Sequence, residues 1–346
     1  MPAAPAPATV LISGVNGYVG CWVANAFLEH GYSVRGTVRS IERAGQHLKE
    51  LFAKYDDKFE LVEVIDITVP GAFDEAVKGV DIVAHTAAPA DFSSTNPSDI
   101  IDPAVQGTVS ILDSILVHAP SVKRFILTSS CVSIWTMFID APREFTEADW
   151  NDQAVNLVNE KGGEAGGMTI YSAAKTLSER AAWEFVEKNK PSWDMATINP
   201  PFLFGPPLQE VQSVDKLNLS MKVLYDIVTG KLPDHQYDKM SLNFVHARDV
   251  AEIHVRAAEL PQAGGTRCLI TAGAYFPQDI LDIANSLDPK PCEGVPKRKP
   301  GATKGRKHRI TYSMEQFGRV YGFKMHTAAE TIADSLHDFK ARGWIQ

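Results

Sequence analysis

Tyr171 and Lys175 stand four residues apart in the stretch Gly167 to Phe185, which otherwise reads as an amphipathic helix. Of the nine tyrosines, Tyr171 alone has a lysine at that distance. The i, i+4 spacing puts phenol and ammonium on one helix face, within reach of one shared substrate. A free phenol has a pKa near 10, so bringing it to neutrality takes about 3 pK units, or roughly 4 kcal/mol. A nearby ammonium favours the phenolate, and an oxidised nicotinamide would add a second positive charge. Such a tyrosine could protonate an alkoxide as hydride arrives at a carbonyl carbon. A third polar group is available where "RFILTSSCV" ends a strand at Ser129–Ser130. A hydroxyl there could bind the same oxygen and orient it, and Ser130 is preferred to Ser129.

That chemistry needs a hydride carrier, and the N-terminal stretch "TVLISGVNGYVG" offers a place for one. Gly14, Gly17 and Gly20 have G-x-x-G-x-x-G spacing between an apolar strand and a helical pattern. Glycines allow the sharp turn and the close approach of a pyrophosphate, which the helix N-terminus then receives with free N–H groups. Cofactor contacts are expected at Gly14, Asn16, Gly17, Tyr18 and Val19. At the end of the second strand, no acid stands from Ser33 to Ile41 to take a ribose 2′-hydroxyl. Arg39 stands there instead, Arg43 follows one helical turn later, and Ser40 is a further donor. A 2′-phosphate fits guanidinium groups, so the expected cofactor is NADP(H). Asp66 and Ile67, after the third strand, are expected beside the adenine.

Six strand-like runs alternate with helical patterns up to Gly205. They begin at "ATVLIS", "YSVRGTVR", "FELVEVIDIT", "VDIVAHTAAP", "VKRFILTSS" and "WDMATINPPFLFG", with a short helix expected at "PGAFDEAVKG". Parallel neighbours need crossover connections that cover both faces, so the expected fold class is α/β, a doubly wound parallel sheet of Rossmann type. Beyond Gly205 the alternation breaks down into a smaller, irregular C-terminal lobe over the ligand-binding edge. The expected division is a nucleotide-binding domain over 8–204, rejoined by 243–260, and a substrate-binding lobe over 205–242 and 261–346. Residues 1–7 are expected to form a flexible tail. Thr327 and Glu330 make a capping-box pair for the last helix.

The chain of 346 residues is 45% hydrophobic, enough to bury a sizeable core, and carries a net charge of -8. That balance argues against nucleic acid and acidic membranes as partners. No uninterrupted apolar run reaches the roughly 20 residues a membrane helix needs. Four cysteines lack metal-ligand spacing and disulfide density, so no metal is expected and the expected location is cytoplasmic. The basic, Pro- and Gly-rich stretch Lys290 to Arg309 reads as an exposed loop.

Taken in order, "SGVNGYVG", "RGTVRS", "HTAAP", "SVKRFILTSS", "YSAAKTLSERAAWEF", "INPPFLFGP" and "VHARDVAEIHV" resemble the extended short-chain dehydrogenase/reductases. The chain is most similar to their dihydroflavonol-reductase-like branch, among fungal aldehyde, ketone and methylglyoxal reductases. The resemblance covers nearly the whole chain. It implies a Ser130/Tyr171/Lys175 triad, an NADP preference through Arg39 and Arg43, and adenine contacts near Asp66. It further implies cofactor contacts at Thr86, Ala87 and Ala88 and at Pro200 and Phe202. Phe92, Ser130, Cys131, Phe202 and Phe204 become the expected substrate pocket. The activity so implied is reduction of an aldehyde or ketone by a monomer or homodimer. Two rival readings are an NAD-dependent sugar-nucleotide epimerase or dehydratase and a non-catalytic NADP-sensing regulator. "SSCVSIW" lacks the acidic pair such dehydratases tend to carry after the strand serine. Loss of the Tyr or Lys, frequent in sensors, has not occurred here. His246, in "VHARD", has no role readable from the sequence.

Overall fold

Along the central strands, successive side chains pass to opposite faces, and both faces are apolar. Val10, Ile12, Ile82, Ala84 and Ile126 enter one cluster, while Leu11, Val83, Phe125 and Leu127 enter another. Strands of this kind must be covered on both sides, and helices cover them. The computed structural model describes residues 3–88 and 94–346.

The strands are β1 (Thr9–Ser13), β2 (Ser33–Val38), β3 (Phe59–Glu63), β4 (Ile82–His85), β5 (Arg124–Thr128) and β6 (Arg143–Phe145). They continue as β7 (Asp194–Asn199), β8 (Phe202–Phe204), β9 (Leu242–His246), β10 (Thr266–Leu269), β11 (Ala274–Tyr275) and β12 (Ile310–Tyr312). The helices are α1 (Tyr18–Glu29), α2 (Ile41–Leu51), α3 (Ser98–His118), α4 (Asp152–Lys161) and α5 (Gly167–Asn189). After them come α6 (Leu219–Val228), α7 (Ala247–Glu259), α8 (Pro277–Ser286), α9 (Glu315–Val320) and α10 (Ala328–Ala341).

Seven strands form one sheet in the order β10-β7-β5-β4-β1-β2-β3, with every pairing parallel. The chain winds outward from β1 to β3, then returns to β4 and winds the other way. The reversal falls between β1 and β4, which opens a crevice at their C-terminal ends. α3 and α5 contribute to the cluster on one face, and α1 and α7 to the cluster on the other. By length and composition α3 could cross a membrane, yet here its Ile111, Leu112 and Ile115 are buried against the sheet. A three-stranded sheet, β11-β9-β8, packs with α6, α8 and α10, and the pair β12-β6 packs beside Cys131 and Leu269. Thr327 and Glu330 cap α10 reciprocally, as their spacing requires.

Three expectations need correction. β10 belongs to the main sheet and not to the C-terminal lobe: Thr266 to Leu269 pair with Ala196 to Asn199. Residues 70–79 form turns and no helix, with Gly71 at φ 79° and Gly79 at φ 72° breaking any helical run. The described part of the N-terminal tail is packed, since Ala4 is buried, its N–H donates to Ala258 O, and its carbonyl accepts from the Tyr32 hydroxyl.

One buried ion pair ties the sheet to α7. Arg124 is wholly inaccessible and meets Asp194 through two bonds, Nε to Oδ1 at 2.6 Å and Nη2 to Oδ2 at 2.8 Å. Its remaining donors reach the carbonyls of Ala257 in the last turn of α7 and of Leu260 and Pro261 just beyond it. Removing one partner of such a pair strands a charge without water. Asp194→Ala is therefore expected to lower the unfolding free energy by about 3–5 kcal/mol in urea titration. A loss under about 1 kcal/mol would place the pair among ordinary surface bridges.

Candidate active site

The crevice begins at the turn between β1 and α1. Gly14 has φ 66°, and a Cβ there would lie 3.0 Å from the Ala87 Cβ. At Gly20 a Cβ would come within 2.3 Å of the Gly14 carbonyl oxygen. Glycine at both positions lets β1, α1 and the chain after β4 approach one another, leaving a cleft at the helix N-terminus. Gly14, Asn16, Gly17, Arg39, Ile67, Thr86, Ala87 and Ala88 line it together. The guanidinium of Arg39 is exposed at its rim and makes no hydrogen bond or ion pair among the described residues.

Other expected contacts lie elsewhere. Tyr18 is buried and donates its hydroxyl to Gly205 O at 2.7 Å, so it anchors α1 to the chain after β8 and does not face the cleft. Val19 packs partly against the core, and Arg43 is absent from the cleft lining. The Asp66 carboxylate accepts from the N–H and hydroxyl of Thr68, and those bonds hold its pKa below the usual range. It closes its own turn while Ile67 faces the cleft.

Ser13, missed by the sequence reading, organises the floor. Its hydroxyl oxygen accepts the N–H groups of Thr86 and Ala87, each at 3.0 Å. Its one proton therefore goes to Nδ1 of His85, 2.8 Å away, which fixes that ring as a neutral acceptor. Burial and the Lys175 charge push the His85 pKa down to about 3.

Tyr171, Lys175, His85, Ser129 and Ala88 share a small pocket at the end of β5, next to the cleft. Lys175 Nζ donates to Thr128 O at 3.4 Å, and desolvation pushes its pKa down to about 8 against the pull of Glu179. The Tyr171 phenol behaves opposite to the expected lowering. Burial and the neighbouring Cys131 push it up to about 12, and a hydrogen bond with Ser130 only partly offsets them. Ser130 also donates to Pro200 O at 3.4 Å and accepts from Val132 N–H at 3.3 Å. Ser129 lines the pocket but turns its hydroxyl to Glu179, and Ser130 is the serine bonded to the phenol.

The residues expected to line the substrate pocket lie in different surroundings. Cys131 packs with Tyr171, Trp135 and Tyr312, and burial holds its thiol up at about 11. Phe202 is half-buried. Phe204 has no exposure and stacks on Phe244 with ring centroids 4.8 Å apart, so it is a core residue and not a pocket wall. Phe92 lies outside the described residues. His246 caps α7 by accepting the Arg248 N–H at 3.0 Å, a structural use the sequence did not signal.

Comparison of the whole chain with known proteins gives its family. The NAD dependent epimerase/dehydratase family model matches residues 10–273. The chain is 35% identical to ketoreductase azaE of Aspergillus niger over 297 residues, which is 83% of this chain and 84% of that protein. It is 33% identical to aldehyde reductase 2 of Sporidiobolus salmonicolor over 294 residues, 82% of each. The crystal structure of yeast methylglyoxal/isovaleraldehyde reductase Gre2 complexed with NADPH superposes with a TM-score of 0.83 at 30% identity, covering 97% of this chain and 100% of that one. With three quarters of its length matched by one family and its fold shared throughout, the chain belongs to the NAD dependent epimerase/dehydratase family, within the extended short-chain dehydrogenase/reductases.

Proposed function

We propose that the protein is an NADPH-dependent carbonyl reductase that converts an aldehyde or ketone to an alcohol, with Tyr171 as the proton donor. The observation that carries this reading is the meeting of Ser130, Tyr171 and Lys175 at the end of β5, beside a cleft whose rim holds Arg39. The residues present fit the cofactor: a glycine-made cradle at a helix N-terminus suits a pyrophosphate, and an exposed guanidinium suits a 2′-phosphate. Bound there, the reduced nicotinamide supplies a hydride.

The chain's own groups do the rest. Ser130 donates a hydrogen bond to the substrate oxygen and holds it against the phenol. Tyr171 carries its proton throughout the neutral range and releases it to the oxygen as charge develops there. Lys175, charged below about pH 8, stabilises the phenolate left behind. The relatives named for ketone, aldehyde and methylglyoxal reduction support the same reading. The primary test mixes enzyme, NADPH and a panel of aryl ketones and dicarbonyls while following absorbance of the reduced cofactor. Steady oxidation supports the proposal, and binding without turnover rejects it in favour of a sensor.

Cofactor choice is tested separately. Arg39→Ala removes charge-assisted hydrogen bonds worth about 1.5–3 kcal/mol, so Kd for NADPH is expected to rise about 10- to 150-fold. NADH, which lacks the 2′-phosphate, should bind within about three-fold of its original affinity. Equal losses for both would place 2′-phosphate recognition elsewhere.

A further inference from the structure

Glu179 lies one helical turn after Lys175 on α5 and has no exposure. Its Oε2 accepts from the Ser129 hydroxyl, from Ser133 Oγ at 2.6 Å and from Asn199 Nδ2 at 2.8 Å. Its Oε1 accepts from Arg267 Nε at 2.6 Å and from Thr197 Oγ1 at 3.2 Å. Arg267 comes from β10, donates to the carbonyls of Glu147 and Asp149, and lies 3.7 Å from the Trp150 ring centroid. Burial pushes the Glu179 carboxyl up, but Arg267 and the serine hydroxyls outweigh it, so the group stays ionised.

A buried carboxylate with this many donors is held at a high desolvation cost, and a packed apolar pair would join the same strands with less. Around Lys175 stand the neutral imidazole of His85 on β4, the Thr128 carbonyl at the end of β5 and the neutral Tyr171 phenol on its own helix. Glu179 is the one anion acting on the ammonium among the described groups.

We infer that Glu179 is a positioning residue for the Tyr171–Lys175 pair, a buried anion that keeps the Lys175 ammonium charged in a dry pocket and, through Ser129, fixes the strand end that carries Ser130. What the ammonium then does rests on the reductase reading above; the charge coupling itself is measurable without turnover.

The test labels the full chain with 15N-lysine and follows the Lys175 Nζ resonance against pH, identified by its loss in Lys175→Met. Glu179→Gln keeps the size and is expected to lower the titration midpoint by about one pH unit or more. Glu179→Asp retains the charge and should restore most of the midpoint, a rescue that a packing role alone does not give. The alkaline limb of kcat/KM for carbonyl reduction should move with the midpoint in each variant. If Glu179→Gln does not fold because Arg267 is stranded, the double variant Glu179→Gln/Arg267→Met removes that charge. It should still show the lowered midpoint, because Glu179 and not Arg267 is the charge acting on Lys175. An unmoved midpoint overturns the inference whatever happens to stability. A lowered midpoint in a protein that never reduces carbonyls upholds the positioning and rejects the reductase reading.

Discussion

Tyr171→Phe is expected to lower kcat for carbonyl reduction by about 10³-fold while leaving NADPH affinity within about two-fold. The substitution removes one oxygen atom and keeps the ring that packs beside Cys131 and Trp135. Of the groups at this spot, the phenol is the one bonded to the Ser130 hydroxyl that would hold the substrate oxygen. His85 is neutral, and its Nδ1 is occupied as the acceptor of the Ser13 hydroxyl. The Ser130 hydroxyl is held between Pro200 O and the Val132 N–H, and a serine is too weak an acid to protonate the oxygen unaided. Lys175 donates to Thr128 O, one helical turn from the phenol, and remains in the variant as the charge beside it. Burial and Cys131 push the phenol up to about 12, so it stays protonated through the neutral range. The proton is therefore available at neutral pH and moves as negative charge develops on the substrate oxygen, so the reduction direction depends on it. Single-turnover and steady-state rates with saturating NADPH would check it. Turnover surviving within ten-fold of the original would assign the acid to another group.

The glycine turn, the Tyr–Lys helix and six of the seven main strands were legible because each rests on a local pattern. Gly14 needs its backbone conformation, Lys175 needs only its spacing from Tyr171, and β1, β4 and β5 are apolar runs bounded by turns. What escaped was set by long-range contact. β10 is four residues, Thr266 to Leu269, with only Cys268 and Leu269 buried, and its partner β7 lies far back in the chain. Missing that strand hid Arg267, and with Arg267 the reason for a buried Glu179 on a helix whose pattern marks it as an outward polar residue. Ser13 escaped for a related reason: at the end of an apolar strand it looks like a boundary, and its three bonds exist only once β4 lies beside β1. Tyr18 and Phe204 show the opposite error. Both carry side chains suited to ligands, yet Tyr18 is satisfied by Gly205 O and Phe204 by Phe244, contacts no local pattern announces.

Acid should unfold this protein steeply, and the cause lies in three buried imidazoles. His254 donates from Nδ1 to Val250 O at 2.6 Å and accepts the Thr128 hydroxyl at Nε2, 2.8 Å away. His85 accepts from Ser13, and His246 accepts the Arg248 N–H. Each ring is thus held in a neutral tautomer, and a second proton would break an acceptor bond as well as bury a charge. Burial, joined by Lys175, lowers His85 to about 3. Burial alone, against the pull of Val250 O, lowers His254 to about 4. For His246, burial with the charges of His326 and Arg248 outweighs Asp334 and gives about 4. In the unfolded chain all three titrate near 6.5. Between about pH 6.5 and 4 the unfolded state therefore binds more protons, so stability is fully present above that window and is lost as pH falls through it. Each histidine removes about 1.4 kcal/mol per pH unit, so the three together remove about 4. Two pH units, ~8 kcal/mol, approach the whole stability of an ordinary domain. Glu147, Asp249 and Asp338, whose pKa values burial raises, return part of this at the acid end. Urea midpoints measured at steps from pH 7 to 4.5 should fall with that slope. His254→Gln, which keeps a hydrogen-bonding end without a titrating ring, should flatten it by about a third. A midpoint that holds steady from pH 7 to 5 would mean that these rings are hydrated or already protonated in the fold.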